Sequence, residues 1–366
     1  MRMFPSKSLR SKVVWIPAWV ACVAGTACSA EVDENDGDSS KTVDPIGAAP
    51  VDLGTLVGPV GISQALGIND NDVIVGLSYD SSGTLRAVTW VNRRIGALPL
   101  PSGTVRSVAQ DINNNGVAVG WRADASGRTL AVKWTGTSSV SDLAPGYDGN
   151  STALAINDRG EIVGFAAPSG GVKRAVRFVN GTVVDVLPPN LAGVSIANAI
   201  SNRTTGTNFI FGQFGSKSAY DCSASGGSFV ALPSAEGTSY SGVAGTASDG
   251  ATAAGSYRIG TGPRHVALWK GSGTSWSMVD PGTLGGAASF AAGINATGTI
   301  VVGTSDRASG AAHGFRWSPG SRMIDLGALS SDSSCFSRAA AINSVGTIVG
   351  YSCVSGGSGQ HAVAWN

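Results

Sequence analysis

An all-β ring of seven four-stranded sheets is the architecture this sequence predicts, and three observations predict it. One motif recurs seven times at a nearly constant spacing. Each copy parses into four short strands, and the strand missing at one end of the array stands at the other.

The motif is plainest at Ala155-Ile156-Asn157-Asp158-Arg159-Gly160-Glu161-Ile162-Val163-Gly164, with relatives at 67–76, 111–120, 199–212, 246–255, 293–303 and 341–350. Its Asn position reads Asn69, Asn113, Asn157, Ser201, Ser248, Asn295 and Asn343, at spacings of 44, 44, 44, 47, 47 and 48 residues. About 15 to 20 residues later comes an Ala-Val-x-Trp run, at Ala87–Trp90, Ala131–Trp134, Ala175–Phe178, Ala219–Cys222, Val266–Trp269, Gly314–Trp317 and Ala362–Trp365. In the second unit Val108–Ile112 reads as strand one, Val117–Gly120 as strand two, Leu130–Trp134 as strand three and Val140–Leu143 as strand four. Asn-x-x-Gly between strands one and two is turn chemistry. The Asn side chain caps the turn, and the Gly takes the left-handed residue that closes it. Four strands repeated at this period make the blade of a β-propeller. The bulky residue of strand three is expected to wedge between neighbouring sheets.

The ends of the array complete each other. The seventh unit stops after Ala362-Val363-Ala364-Trp365 without a fourth strand, while Val51-Asp52-Leu53-Gly54-Thr55-Leu56 matches the strand-four segment Ile324-Asp325-Leu326-Gly327-Ala328-Leu329. The N-terminal strand should therefore complete the last blade and close the ring, which removes two exposed sheet edges.

Composition agrees. Gly accounts for 52 of 366 residues, hydrophobic residues for 42%, and charged residues for 13% against roughly 25% in ordinary soluble domains. The chain has 25 basic and 24 acidic residues with no Lys/Arg block, which excludes the electrostatic footprint of a nucleic-acid binder.

Residues 1–27 read as an export signal. Arg2, Lys7, Arg10 and Lys12 precede an apolar stretch from Val13 to Ala27 that ends in small residues, the layout of a secretory signal. Gly25-Thr26-Ala27-Cys28 resembles a bacterial lipobox, which would make Cys28 a lipidated N-terminus; cleavage after Ala30 is the alternative. Residues 28–50 carry Glu31, Asp33, Glu34, Asp36, Asp38 and Asp44 against Lys41 and lack aromatics, as a solvated tether does. The propeller spans 51–366.

Ala-x-x-Ile-Asn-x-x-Gly-x-Ile-Val-Gly, followed by His361-Ala362-Val363-Ala364-Trp365 and the Asp-Leu-Gly of 325–327, resembles the bacterial HAF repeat, a probable extracellular repeat. The resemblance covers 51–366 and implies an exported protein. It carries over no catalytic residues. Units four and five depart most from the pattern, at Ser201, Ser248 and Cys222.

No catalytic constellation stands out. His265, His313 and His361 share one repeat position at the start of strand three, which points to packing rather than to a metal site, whose ligands must converge on one ion. Asp52, Asp185, Asp280 and Asp325 share a position in strand four, with a structural role the simplest reading. Asp70-Asn71-Asp72 lacks the EF-hand spacing. No metal or cofactor is expected, and no set of non-repeated acids is placed near strand one. Cys335 and Cys353 sit on strands one and two of the last blade. Counted from the turn they are diagonal neighbours, near the limit for a bridge, so a disulfide and two thiols both remain open. Cys222 reads as a buried small residue.

The segments after strand two differ most between units. They carry the ligand-binding candidates Tyr79, Trp121, Arg122, Phe165, Tyr257, Arg258 and Tyr351, aromatics beside arginines that suit a sugar or peptide surface. Packing of the same aromatics on neighbouring blades is the competing reading. The expected function is a monomeric binding scaffold in the cell envelope or outside it, facing an extracellular polysaccharide or protein and touching the membrane only through a lipid anchor. A polymer-degrading hydrolase or lyase is the alternative, and a structural surface-coat repeat a third reading.

Overall fold

A computed structural model describes residues 49–187, 193–221, 229–308, 310–355 and 359–366. The expected export signal, Cys28 and the expected tether up to residue 48 lie outside the described residues. Within them, 28 strands form seven antiparallel four-stranded sheets: the chain is a seven-bladed β-propeller. Blade one comprises β2 (Ser63–Ile68), β3 (Ile74–Tyr79), β4 (Leu85–Val91) and β5 (Arg94–Ala97). Blade two comprises β6 (Thr104–Ile112), β7 (Val117–Asp124), β8 (Thr129–Thr135) and β9 (Ser139–Asp142). Blades three to six repeat the order. Blade seven has β26 (Ser337–Ile342), β27 (Ile348–Cys353) and β28 (Gln360–Trp365), and its outer strand is β1 (Val51–Asp52) from the other end of the chain. Val51 stands opposite Ala364 and Asp52 opposite Val363.

Apolar layers between blades hold the ring together. Trp90, Trp134, Trp269 and Trp365 of strand three are fully buried. The Nε1 of Trp90 donates to Leu53 O (2.9 Å), that of Trp134 to Pro99 O (2.9 Å), and that of Trp269 to Pro233 O (2.7 Å). Three of these wedges thus satisfy their one polar group on the preceding blade, whereas the Nε1 of Trp365 is buried without a partner among the described residues.

A second inter-blade link was not expected from sequence. Every strand one contains a buried serine: Ser63, Ser107, Ser151, Ser195, Ser241, Ser289 and Ser337. Each Oγ accepts the backbone N–H of strand three in the preceding blade, as in Ala131 N to Ser151 Oγ and Ala362 N to Ser63 Oγ, both 2.9 Å. These N–H groups would otherwise be buried without an acceptor, a penalty of about 1–3 kcal/mol each.

A bulge interrupts the pairing of strands one and two in all seven blades, as between Ala109 and Asp111. Three assignments made by counting residues differ in the structure. In blade five the first turn residue is Ala247, whose N–H donates to Thr252 O and whose O accepts from Gly250; Ser248 follows it. In blade four Ile210 pairs with Asp221, where other blades pair the strand-three aromatic, so the register lies one residue before Cys222, itself outside the described residues. In blade seven Ser337 pairs with Ser352 beyond the bulge, which brings Cys353 one residue nearer to Cys335 than the uninterrupted count allows. Their Cα atoms are 5.5 Å apart and the two form a disulfide, a separation typical of bridged pairs.

Candidate functional site

Strand one of each blade lies innermost, so its two ends frame the two mouths of the axial channel. At one mouth the turns after strand one form a polar ring, joined by side chains from blade seven through blades one, two, three and four. Asn69 Nδ2 donates to Asn113 O (3.0 Å), Asn113 to Asn157 O (3.0 Å), Asn157 to Ser201 O (3.1 Å) and Asn343 to Asn69 O (3.2 Å). The next residues form a second tier. Asn114 Nδ2 bridges Asp70 and Asp158 at 2.9 and 3.0 Å, and Asn202 donates to Asp158 at 2.7 Å. Asn side chains that cap their own turns (Asn113 Oδ1 accepts from Asn115 and Val117 N–H) therefore also bind blade to blade. With its donors and acceptors spent on one another, this mouth acts as a latch around a cavity of about 190 Å³.

Just inside stands Asp111, a single non-repeated acid on strand one. The same position reads Gly67, Ala155, Ala199, Gly245, Gly293 and Ala341 in the other blades, and that contrast was present in the sequence. Asp111 Oδ1 accepts from Ile112 N (2.8 Å) and Oδ2 from Ile156 N (2.9 Å), clipping blade two to blade three. Burial pushes its carboxyl up to about 6, against the pull of those two N–H groups and with a small push from Asp158. The folded protein then holds this proton more tightly than the unfolded chain. Stability from this group is present at low pH and falls as pH rises from about 4 to about 6. Asp111→Asn should flatten that slope, read from denaturation midpoints across the window. An unchanged slope would contradict the assignment.

The other mouth, where strands one begin, is less self-satisfied. A pocket of about 280 Å³ is lined by Leu154, Asn198, Tyr240, Gly242, Val243, Ala244 and Ser256. Leu154, Asn198 and Ala244 are the bulged residues of blades three, four and five, so the bulge that breaks the ladder also aims these side chains into the channel. Asn198 Nδ2 donates to Val243 O (2.8 Å), leaving its Oδ1 as an acceptor toward the pocket.

The seven residues singled out from sequence lie within strand two, which runs on past the motif Gly, and not in loops. They fall into three repeat positions. Trp121, Phe165 and Tyr351 occupy the position of Ser256 and are half-buried. Lys173 Nζ sits 4.3 Å from the centroid of Phe165, and Phe336 packs edge-on to Tyr351. Arg122 and Tyr257 share the next position and are only 9% and 8% exposed. Arg122 grips Asp142 of strand four with two bonds of 2.7 Å, and Tyr257 Oη donates to Asp280 (2.8 Å). Burial, helped by that carboxylate, pushes the Tyr257 phenol up to about 12. Tyr79 and Arg258 form the third position, Tyr79 being 38% exposed. Of the seven, Arg258 adjoins the pocket, standing opposite Tyr240.

The histidines have partners that explain their repetition. His361 Nδ1 meets Asp52 (2.8 Å), His313 Nδ1 meets Asp325 (2.7 Å) and His265 Nδ1 meets Asp280 (3.0 Å). Arg174 fills the role with Asp185 in blade three. The same aspartates cap the following turn, as in Gly54 N to Asp52 and Gly327 N to Asp325. Burial raises the Asp325 carboxyl, but His313 and the Gly327 N–H outweigh it and hold it below the usual range. These pairs fasten strand four to strand three. Among the described residues, no group of three or more His, Cys, Asp or Glu is placed to hold a metal ion.

The fold and site together define a seven-bladed propeller with one latched mouth and one open, neutral-polar mouth. No family model and no curated protein matches the chain. Solved structures share its fold at low identity. YCF48 bound to a D1 peptide is 12% identical with a TM-score of 0.47, over 88% of this chain and 96% of that chain. An ulvan lyase of polysaccharide lyase family PL25 is 10% identical with a TM-score of 0.48, over 86% and 92%. The BP39L lectin from Burkholderia pseudomallei is 12% identical with a TM-score of 0.44, over 83% and 98%. These likenesses concern fold alone.

Proposed function

We propose that the ring is a binding scaffold of an exported, HAF-repeat-like protein, held in the envelope through Cys28 or released, and that it takes a segment of extracellular polysaccharide at the open mouth. The observation that carries this reading is the lining of the 280 Å³ pocket. It offers an amide, a phenol and a hydroxyl beside aliphatic walls, groups that hold hydroxyl-rich rings without acting on them. Its size is just under the roughly 300–1,000 Å³ of pockets that enclose whole small ligands, which suits one unit of a longer chain.

A thermal-shift screen of the mature protein against plant and bacterial glycans tests it. A glycan at a hundredfold excess over its dissociation constant adds about 2.7 kcal/mol to the native ring, and Tyr240→Ala and Asn198→Ala should each abolish that shift. Absence of any glycan-induced shift would remove the reading. The polymer-cleaving alternative is favoured by one observation, the raised carboxyl of Asp111 beside Asp158. It requires the protein to release oligosaccharides and Asp111→Asn to stop the release. Both Asp111 oxygens already serve backbone N–H groups, which favours binding over cleavage.

A further inference from the structure

Blade five carries two arginines that the fold leaves without a counter-charge. Its strands are β18 (Thr238–Thr246), β19 (Thr252–Ile259), β20 (Arg264–Ser272) and β21 (Ser275–Val279). Tyr240 stands opposite Arg258, and Arg258 opposite Arg264, so the three side chains share one side of the sheet on adjacent strands. The Arg264 guanidinium lies 4.5 Å from the centroid of the Tyr240 ring. Among the described residues neither guanidinium takes part in an ion pair or a hydrogen bond, and the Nε of Arg258 is buried without a partner. Asp280, the residue after this blade's strand four, is taken by Tyr257 and His265. Both neighbour the arginines in sequence and so alternate to the opposite side of the sheet.

Like charges directly across a ladder destabilise it, and the repeat does not require them. The same pair of positions reads Tyr79 and Leu85 in blade one, Ala123 and Thr129 in blade two, and Cys353 and Gln360 in blade seven. The uncompensated pair also adjoins the pocket. Tyr240 lines it, and Ser256, two residues before Arg258 on the same side of β19, lines it too.

We propose that Tyr240, Arg258 and Arg264 form an anion subsite of the pocket, and that the ligand is an acidic polysaccharide. Its carboxylate or sulfate pairs with the two guanidiniums, whose planar forks suit such groups, while the sugar ring lies against Tyr240, Asn198 and Ser256. This rests on the binding reading above and adds the charge class of the ligand. A sugar acid presents hydroxyls on every unit to the Asn198, Ser256 and Tyr240 lining beside the arginines, which favours it over an acidic peptide.

Calorimetric titration of the mature protein tests the subsite, with polygalacturonate, alginate and dextran sulfate as acidic probes, dextran as the neutral glycan and poly-L-glutamate as the acidic peptide. Salt is set at about 50 and about 300 mM. The expected result is binding of at least one acidic glycan that weakens with salt. Arg258→Gln and Arg264→Gln should each weaken it roughly tenfold or more and reduce its salt dependence, with melting temperatures at or above that of the parent because the like-charge contact is relieved. Acidic-glycan binding unchanged in both variants would overturn the proposal, as would equal binding of poly-L-glutamate. Dextran binding that is lost in Tyr240→Ala but indifferent to both arginines would leave the scaffold reading standing and overturn this one. Binding of no glycan at all would overturn both.

Discussion

Removal of residues 51–57 is expected to lower the unfolding free energy by about 5 kcal/mol or more and to open the ring between blades seven and one. The segment is short, but its contacts are concentrated. Leu53 N donates to Ala362 O (2.9 Å), and the Leu53 side chain is buried with Val88, Trp90, Val349 and Ala362. Its loss resembles a large-to-small core substitution, about 2–5 kcal/mol. The Trp90 Nε1–H, which donates to Leu53 O, would be left buried without an acceptor, about 1–3 kcal/mol more. His361 would lose Asp52, and the outer edge of β28 would be bare, a template for association between chains. Removing 31–48 should leave the transition where it was. Parallel thermal melts of the two truncations, with light scattering to detect association, decide the matter. Equal melting temperatures would mean that the ring does not depend on its N-terminal strand.

The clasp was legible because it is a repeat feature displaced to the other end of the chain. Val51–Leu56 and Ile324–Leu329 share spacing and chemistry, and strand four must pair somewhere. The turns were legible for a similar reason. Left-handed Gly116 and Gly160, at φ 74° and 77°, follow from Asn-x-x-Gly without knowledge of the fold. What counting could not supply was the bulge, because an alternation of period two looks the same whether or not one residue is extra. That one unseen residue held Cys335 and Cys353 apart in the count, while the Ser248 assignment missed a blade-five turn one residue longer than its counterpart at Asn157. In blade four the slip fell in strand three, where no aromatic marks the register.

The candidate site was half legible. Aromatics and arginines after strand two drew notice, yet they were assigned to loops because the apolar alternation ends near the motif Gly. In blade two the strand runs on to Asp124, with Arg122 made tolerable in the sheet by Asp142. Arg258 was picked out for its type. Its opposition to Arg264 depends on the register across the 260–263 turn, and its lack of a carboxylate depends on where Asp280 is spent. Neither can be read from one strand alone. The inter-blade serines were missed for a different reason: Ser recurs throughout this chain, and only its place opposite a strand-three N–H separates a structural serine from a turn residue.

The Gly that ends each motif has a role distinct from the turn glycines, and Gly120→Ala is expected to cost about 3 kcal/mol or more. The backbone at Gly120 is not left-handed. The bulge between Ala109 and Asp111 pushes the Val108 carbonyl oxygen into the space a Cβ would occupy, so an added methyl collides with backbone. A flexible side chain could swing away, but a carbonyl held in the ladder can move only if the bulge flattens. Flattening would shift Ile112, Asn113 and the Asp111 clip, and with them the polar ring that joins blade two to blade three. Gly116→Ala is the matched control. Its φ is 74° with nothing within 4 Å of an added Cβ, so it should cost only the left-handed penalty of about 1 kcal/mol. Urea denaturation of the two variants separates steric exclusion from backbone preference. If Gly120→Ala proves as mild as Gly116→Ala, the bulge yields to a methyl group, and the recurring Gly needs another cause. If it is several times costlier, the same collision explains why Ile-Val is followed by Gly in blades one, three and seven as well, at Gly76, Gly164 and Gly350. The bulge is then a fixed part of the blade, and the side chains it turns into the channel are held where the pocket needs them.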